Sequence, residues 1–200
     1  MQELRTGLWG WEAEHPEWTD ADAATEDWGP EVSSYAIDDG TRLMLIDPTD
    51  PPGPVAELAA GREVVIVLTC AWHQRDTRKL LERFGATLHM PPPDTGDPDP
   101  PPGRVFRAGD RLPIGVEIFP GMEPNDLVLW FERQRALVAG DTLIDRGNGV
   151  EFPADWAASK SVPPEQILET LRPLLDLPVE LVLPTHGAPA DRAALERALS

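Results

Sequence analysis

Apolar and polar positions form two short runs in close succession, Val32-Ser33-Ser34-Tyr35-Ala36-Ile37 and Arg42-Leu43-Met44-Leu45-Ile46, on either side of Asp38-Asp39-Gly40. That pattern predicts a β-hairpin, because Asp-Gly tolerates the positive backbone angles of a tight turn. Asp47-Pro48 ends its second strand. Upstream, residues 4–11 read as extended, and the stretch to residue 28 reads as an acidic, turn-rich loop or flap anchored by Trp11, Trp18 and Trp28. Downstream, a short helix over 55–60 closed by Gly61 precedes Val64-Val65-Ile66-Val67-Leu68-Thr69, a continuous apolar run suited to a fully buried strand. A helix over 75–84 places Leu80, Leu81 and Phe84 on one face and stops at Gly85, and a short strand over 86–89 follows.

Proline then dominates residues 91–103, which excludes a helix or sheet interior, since proline lacks a donor and fixes its backbone angle. A stiff, exposed insertion loop is expected there. Beyond it, strands over 114–119, 126–131 and 135–139 predict an antiparallel meander. A helix over 164–175, a strand over 179–183, the turn Pro184-Thr185-His186-Gly187 and a helix over 190–199 complete the order. Strands and helices in two rounds, with helices late in each half, predict an α/β (α+β) fold. Its form would be a four-layer αββα sandwich of two mixed β-sheets flanked by helices. A length of 200 residues suits a single domain, 1–200.

Composition narrows the function more than the fold. Hydrophobic residues at 41% and charged residues at 26% are ordinary for a globular chain. The excess of 35 acidic over 17 basic residues gives a formal charge of −18, which repels phosphate backbones and anionic membranes, so neither nucleic acid nor a membrane is expected as partner. The single cysteine, Cys70, excludes an intramolecular disulfide and fits a reducing compartment. With no signal-like N-terminus and no apolar run of spanning length, a soluble, cytoplasmic protein is expected.

Candidate chemistry sits where polar residues directly follow apolar strands, at 69–76, 120–126, Gly140-Asp141 and Thr185-His186-Gly187. In this order and spacing the segments resemble the metallo-β-lactamase superfamily. Ser34-Tyr35-Ala36-Ile37 and Leu45-Ile46-Asp47-Pro48 are similar to its opening hairpin. Residues 64–69 are similar to the strand that delivers its H-x-H-x-D-H ligand motif, and Pro120-Gly121-Met122-Glu123-Pro124 to its P-G-H-T-P turn. Residues 137–144, through Gly140-Asp141, are similar to its G-D strand end, and Leu183-Pro184-Thr185-His186-Gly187 matches its final histidine. The resemblance implies two zinc ions that activate water for attack on an ester, thioester, lactam or phosphoester.

The chain departs from that ligand set. Read directly after Thr69, the four motif positions hold Cys70, Trp72, Gln74 and Arg75, none of them the family residue; shifted by one, they hold Ala71, His73, Arg75 and Asp76, which restores one histidine. The shifted register is preferred. The histidine of the later turn is replaced by Met122, whose thioether binds zinc poorly, with Glu123 the nearest oxygen. Asp141 and His186 stay in place. Arg75 brings a fixed positive charge where a cation would bind, and a salt bridge to Asp141 or Asp76 is expected to take over the structural role of the metal.

Each candidate also has a plainer reading. His186 and Asp141 are also explained as turn residues, Asp76 as an N-terminal helix residue, Cys70 as a small buried side chain and Trp72 as a pocket filler. Three functions follow. In the first, one zinc ion is held by Asp141, His186 and either Asp76 or His73, and a small-molecule ester or thioester is hydrolysed. The second is a metal-free binding or scaffold protein on the same fold. The third, ranked last, is a metal-free hydrolase using His73 or His186 as base.

Overall fold

The computed structural model describes residues 1–200, the side chain of Ile114 excepted. Its chain forms two compact units, Met1–Val105 and Phe106–Ser200. Both are mixed α/β, each built on one large mixed sheet.

The first unit carries a seven-stranded sheet whose spatial order follows the sequence: β1 (Gln2–Arg5), β2 (Leu8–Glu14), β3 (Glu31–Asp38), β4 (Arg42–Ile46), β5 (Glu63–Val67), β6 (Thr87–Met90) and β7 (Arg104–Val105). The first four pair antiparallel and the remainder join in parallel. Residues 4–11 are therefore two strands, split by a turn at Gly7, whose φ of 74° favours glycine. The hairpin of β3 and β4 forms as predicted, with Tyr35 opposite Ile46 and Asp38 opposite Leu43. Parallel pairing requires crossovers, supplied by α1 (Gly53–Leu58) and α2 (Thr77–Phe84). Helix α2 starts two residues later than the apolar pattern suggests because Arg75 adopts a left-handed φ of 41°, which no α-helix accommodates. Leu43, Leu45, Val64, Ile66 and Leu68 share one buried cluster with Val55 of α1 and Leu80 of α2. Their alternates Met44, Ile46, Val65 and Val67 are equally buried, which accounts for the unbroken apolar runs. Residues 91–103 contain no helix or strand, in keeping with their prolines.

The second unit carries a five-stranded sheet in the order β14-β11-β10-β9-β8: β8 (Arg111–Leu112), β9 (Val116–Glu123), β10 (Asp126–Phe131), β11 (Ala136–Val138) and β14 (Leu181–Leu183). Strands β9, β10 and β11 form the expected meander, and β14 adds in parallel to β11. The strand predicted from Ile114 begins at Val116, after a 3-10 turn over Pro113–Gly115. Between β11 and β14 lie a small hairpin, β12 (Ile144–Asp145) and β13 (Val150–Glu151), and the helices α3 (Ala154–Ala157) and α4 (Pro164–Leu171). Helix α5 (Arg192–Ala198) closes the chain, its start capped by the Asp191 carboxylate accepting the Ala194 N–H. Among the described residues no helix is long and apolar enough to cross a membrane.

Candidate functional site

In the first unit the chemistry gathers at the turn after β5. Thr69 is fully buried; its backbone N–H donates to Asp47 Oδ1 at 2.8 Å and its hydroxyl to Asp47 Oδ2 at 2.5 Å. His73 Nδ1 lies 3.3 Å from both that Asp47 oxygen and the Thr69 hydroxyl. With the one hydroxyl proton given to Asp47, both oxygens face Nδ1 as acceptors, so in a neutral imidazole the proton falls on Nδ1 and the lone pair on Nε2. The His73 backbone N–H donates to the Cys70 carbonyl at 3.2 Å, so both side chains belong to one tight, buried turn. Trp72 stands beside it, 38% exposed, with its indole edge-on to the His73 ring at 6.2 Å.

Asp47 itself is completely buried and held at a φ of 43°. Sequence reasoning treats it as a strand end, whereas the structure makes it the residue that orients His73. The only signal for this in the sequence is the Leu45-Ile46-Asp47-Pro48 match. A buried network fixes its backbone: the Ser34 hydroxyl donates to the Asp47 carbonyl at 2.8 Å and accepts the Thr49 N–H at 3.0 Å, and Trp11 Nε1 donates to the Thr49 hydroxyl. Arg75 adds to it, Nη1 donating to the Ser33 and Asp47 carbonyls at 2.7 and 2.6 Å. Within its unit, then, Arg75 braces the backbone of β3 and of the Asp47 turn.

Asp76 has a different local role. It occupies the residue before α2, accepts the Asp50 N–H at 2.8 Å and lies 4.0 Å from Lys79 Nζ. Asp50 in turn holds Lys79 and Arg83, whose charges and hydrogen bonds keep its carboxyl below the usual range.

The second unit brings Asp141 and His186 together. Each follows one of two adjacent parallel strands, β11 and β14, and His186 Nε2 lies 3.4 Å from Asp141 Oδ1, both side chains being nearly buried. The Thr185 hydroxyl donates to the Gly140 carbonyl at 3.0 Å and lies 3.3 Å from Asp141 Oδ1. The His186 carbonyl accepts the Asp145 N–H at 2.9 Å. Gly187 is required after it, since its φ is 88° and a Cβ would lie 2.1 Å from the Asp145 carbonyl oxygen.

The turn holding Met122 and Glu123 is tied to the same region. Thr142 donates its hydroxyl proton to Asp126 Oδ2 and accepts the Met122 N–H at 3.0 Å, and a Cβ on Gly121 would strike the Asp126 carbonyl. Met122 is 5% exposed and packs into the hydrophobic cluster with Val128, Leu137 and Leu143. Glu123 is paired with Lys160 at 2.6 Å.

Each unit offers donors that suit a borderline ion such as zinc or iron better than a hard one, His73 and Cys70 in the first and Asp141 and His186 in the second. Comparison with known proteins agrees with the class. A family described as Metallo-beta-lactamase superfamily matches residues 56–186. The chain belongs to the metallo-β-lactamase superfamily. It is 30% identical over 116 residues to a hydroxyacylglutathione hydrolase of Methylobacterium sp. (strain 4-46), covering 56% of this chain and 42% of that protein, so it spans less than half the relative's length. Among solved structures, the di-iron-bound form of TTHA1623 is 25% identical with a TM-score of 0.63, over 85% of this chain and 95% of that one. The DIM-1 metallo-beta-lactamase superposes over 99% of this chain and 94% of its own with a TM-score of 0.68 at 14% identity, which shows a shared fold.

Proposed function

We propose, from the family motif positions these residues occupy in the sequence, that the chain is a metal-dependent hydrolase with a reduced site, its one zinc or iron ion taking Asp141, His186 and His73 as ligands, and that it acts on a small thioester. The observation that carries this reading is the Asp141–His186 pair, a carboxylate and an imidazole nitrogen 3.4 Å apart and largely out of water. Three protein ligands suffice for a catalytic zinc. His73 is favoured over Asp76 as the third because Asp47 fixes its tautomer, as carboxylates do behind metal-bound histidines, while Asp76 is engaged by Asp50 and Lys79.

When bound, such an ion supplies Lewis acidity toward water and a carbonyl oxygen. The net reaction adds water to the thioester carbonyl and breaks its C–S bond, giving a carboxylate, a thiol and a proton. A thioester is favoured by the hydroxyacylglutathione hydrolase relative, and a small molecule over nucleic acid by the net charge of −18. A second, metal-free reading draws on Met122, which lies in the core where the family carries a histidine, and on Glu123, paired with Lys160. In that reading the charge of Arg75, with Asp76 or Asp141 as its partner, takes the place of an ion.

Thiol release from a hydroxyacylglutathione separates the two. The hydrolase reading expects turnover that chelation removes and zinc restores, with Asp141→Asn and His186→Ala each lowering kcat/KM by about 100-fold or more. A wild-type protein that releases no thiol with zinc or iron present contradicts it.

A further inference from the structure

The hairpin of β12 and β13 and the short helix α3 build a wall against His186. Asp145 joins hairpin and turn: its N–H donates to the His186 carbonyl, while its carboxylate accepts the N–H groups of Gly147 and Gly149 at 2.7 and 2.8 Å. Trp156 of α3 packs against the unit's hydrophobic cluster and meets the His186 ring edge-on, centroids 6.2 Å apart and planes at 90°. That is the separation and angle at which aromatic rings attract through their quadrupoles. The Arg146 guanidinium lies over the indole at 5.0 Å, and carboxylates hold it there, Asp155 through both Nη atoms and Glu151 at 3.3 Å. Burial alone would push the Asp155 carboxyl up, but its bonds to Arg146 and the backbone outweigh that and lower it, so the brace is charged at neutral pH.

We infer that Trp156 is a positioning residue, braced by Arg146, that fixes the plane of the His186 imidazole so that Nε2 stays directed at Asp141. Its consequence for metal binding and turnover rests on the hydrolase reading above; the orientation of the ring does not. An imidazole free to rotate about its own bonds must be ordered each time an ion binds. One already held by an indole edge avoids that cost, as outer groups around metal ligands commonly achieve.

The test uses the full chain with 13C-labelled histidine, the His186 Cε1–Hε1 signal being assigned by its loss in His186→Ala, together with zinc titration by calorimetry. Trp156→Ala is expected to shift or broaden that signal in the metal-free protein and to weaken zinc binding about tenfold. Trp156→Phe, which keeps an aromatic edge, is expected to restore a single sharp signal and an affinity within about threefold of wild type. Arg146→Gln is expected to fall between them. Should Trp156→Ala fail to fold, the Phe and Gln variants decide. The inference is overturned if Trp156→Ala leaves both the signal and the affinity unchanged, or if Trp156→Phe folds and rescues neither. If wild type binds no zinc, the hydrolase reading fails, while the metal-free signal still decides whether Trp156 holds the ring.

Discussion

The two units present their candidate donors by different means. In the second, Asp141 and His186 lie just beyond the ends of neighbouring parallel strands, so the sheet sets their backbones side by side, and the His186 ring meets Asp141 at 3.4 Å with the Trp156 indole edge against it. In the first, the candidate donor lies in the turn after β5, and His73 reaches its orientation through Asp47, itself held by Ser34 and Arg75. A site built on strand ends takes its backbone placement from the sheet. One built on a turn depends on a buried polar network in which each missing partner leaves another group unsatisfied.

The largest effect is expected from removing the hub of the first unit. Asp47→Ala frees the Nδ1 side of His73 and leaves the Thr69 N–H and hydroxyl without their carboxylate, so zinc affinity should fall by about 10- to 100-fold, read by competition with a chromogenic chelator. Unchanged affinity would mean that His73 is not among the ligands. Arg75→Met should act on stability instead. It leaves the Ser33 and Asp47 carbonyls short of a charged donor, which costs about 2–3 kcal/mol in urea unfolding. An effect below about 0.5 kcal/mol would show that the brace is dispensable.

Acid acts unequally on the two units. The Arg62 hydrogen bond, a backbone bond from Gly40 and the Arg62 charge outweigh burial and hold Asp38 below its ordinary value of 3.8. A depressed carboxyl stabilises the fold above that value and loses its contribution as pH falls through the folded pKa. Asp38→Asn should therefore lower stability at pH 7 by about 1 kcal/mol and have a smaller effect below pH ~3. The corresponding pair in the second unit, Arg146 with Asp155, leaves its carboxylate 56% exposed and should contribute less to acid sensitivity.

Much of this architecture is legible in the chain. The β3–β4 hairpin, the buried run of β5 and the meander of β9 to β11 follow from apolar periodicity and turn residues, which act locally. Asp141 and His186 are legible because each directly follows a strand within a short motif. Less local features escape. The turn at Gly7 divides one extended run in two, and the β12–β13 hairpin is too short to carry a period of its own. Asp47, Thr69 and His73 meet across 22 and 26 residues of sequence, a convergence produced by the parallel pairing of β4 with β5. The left-handed backbone of Arg75, with the helix shift it causes, likewise depends on tertiary bonds to Ser33 and Asp47.

Whether the chain holds one ion is decided by elemental mass spectrometry of untagged protein dialysed without added metal. The account predicts about one zinc or iron per chain, lost from His186→Ala. A metal-free wild type whose melting temperature zinc does not raise would contradict it.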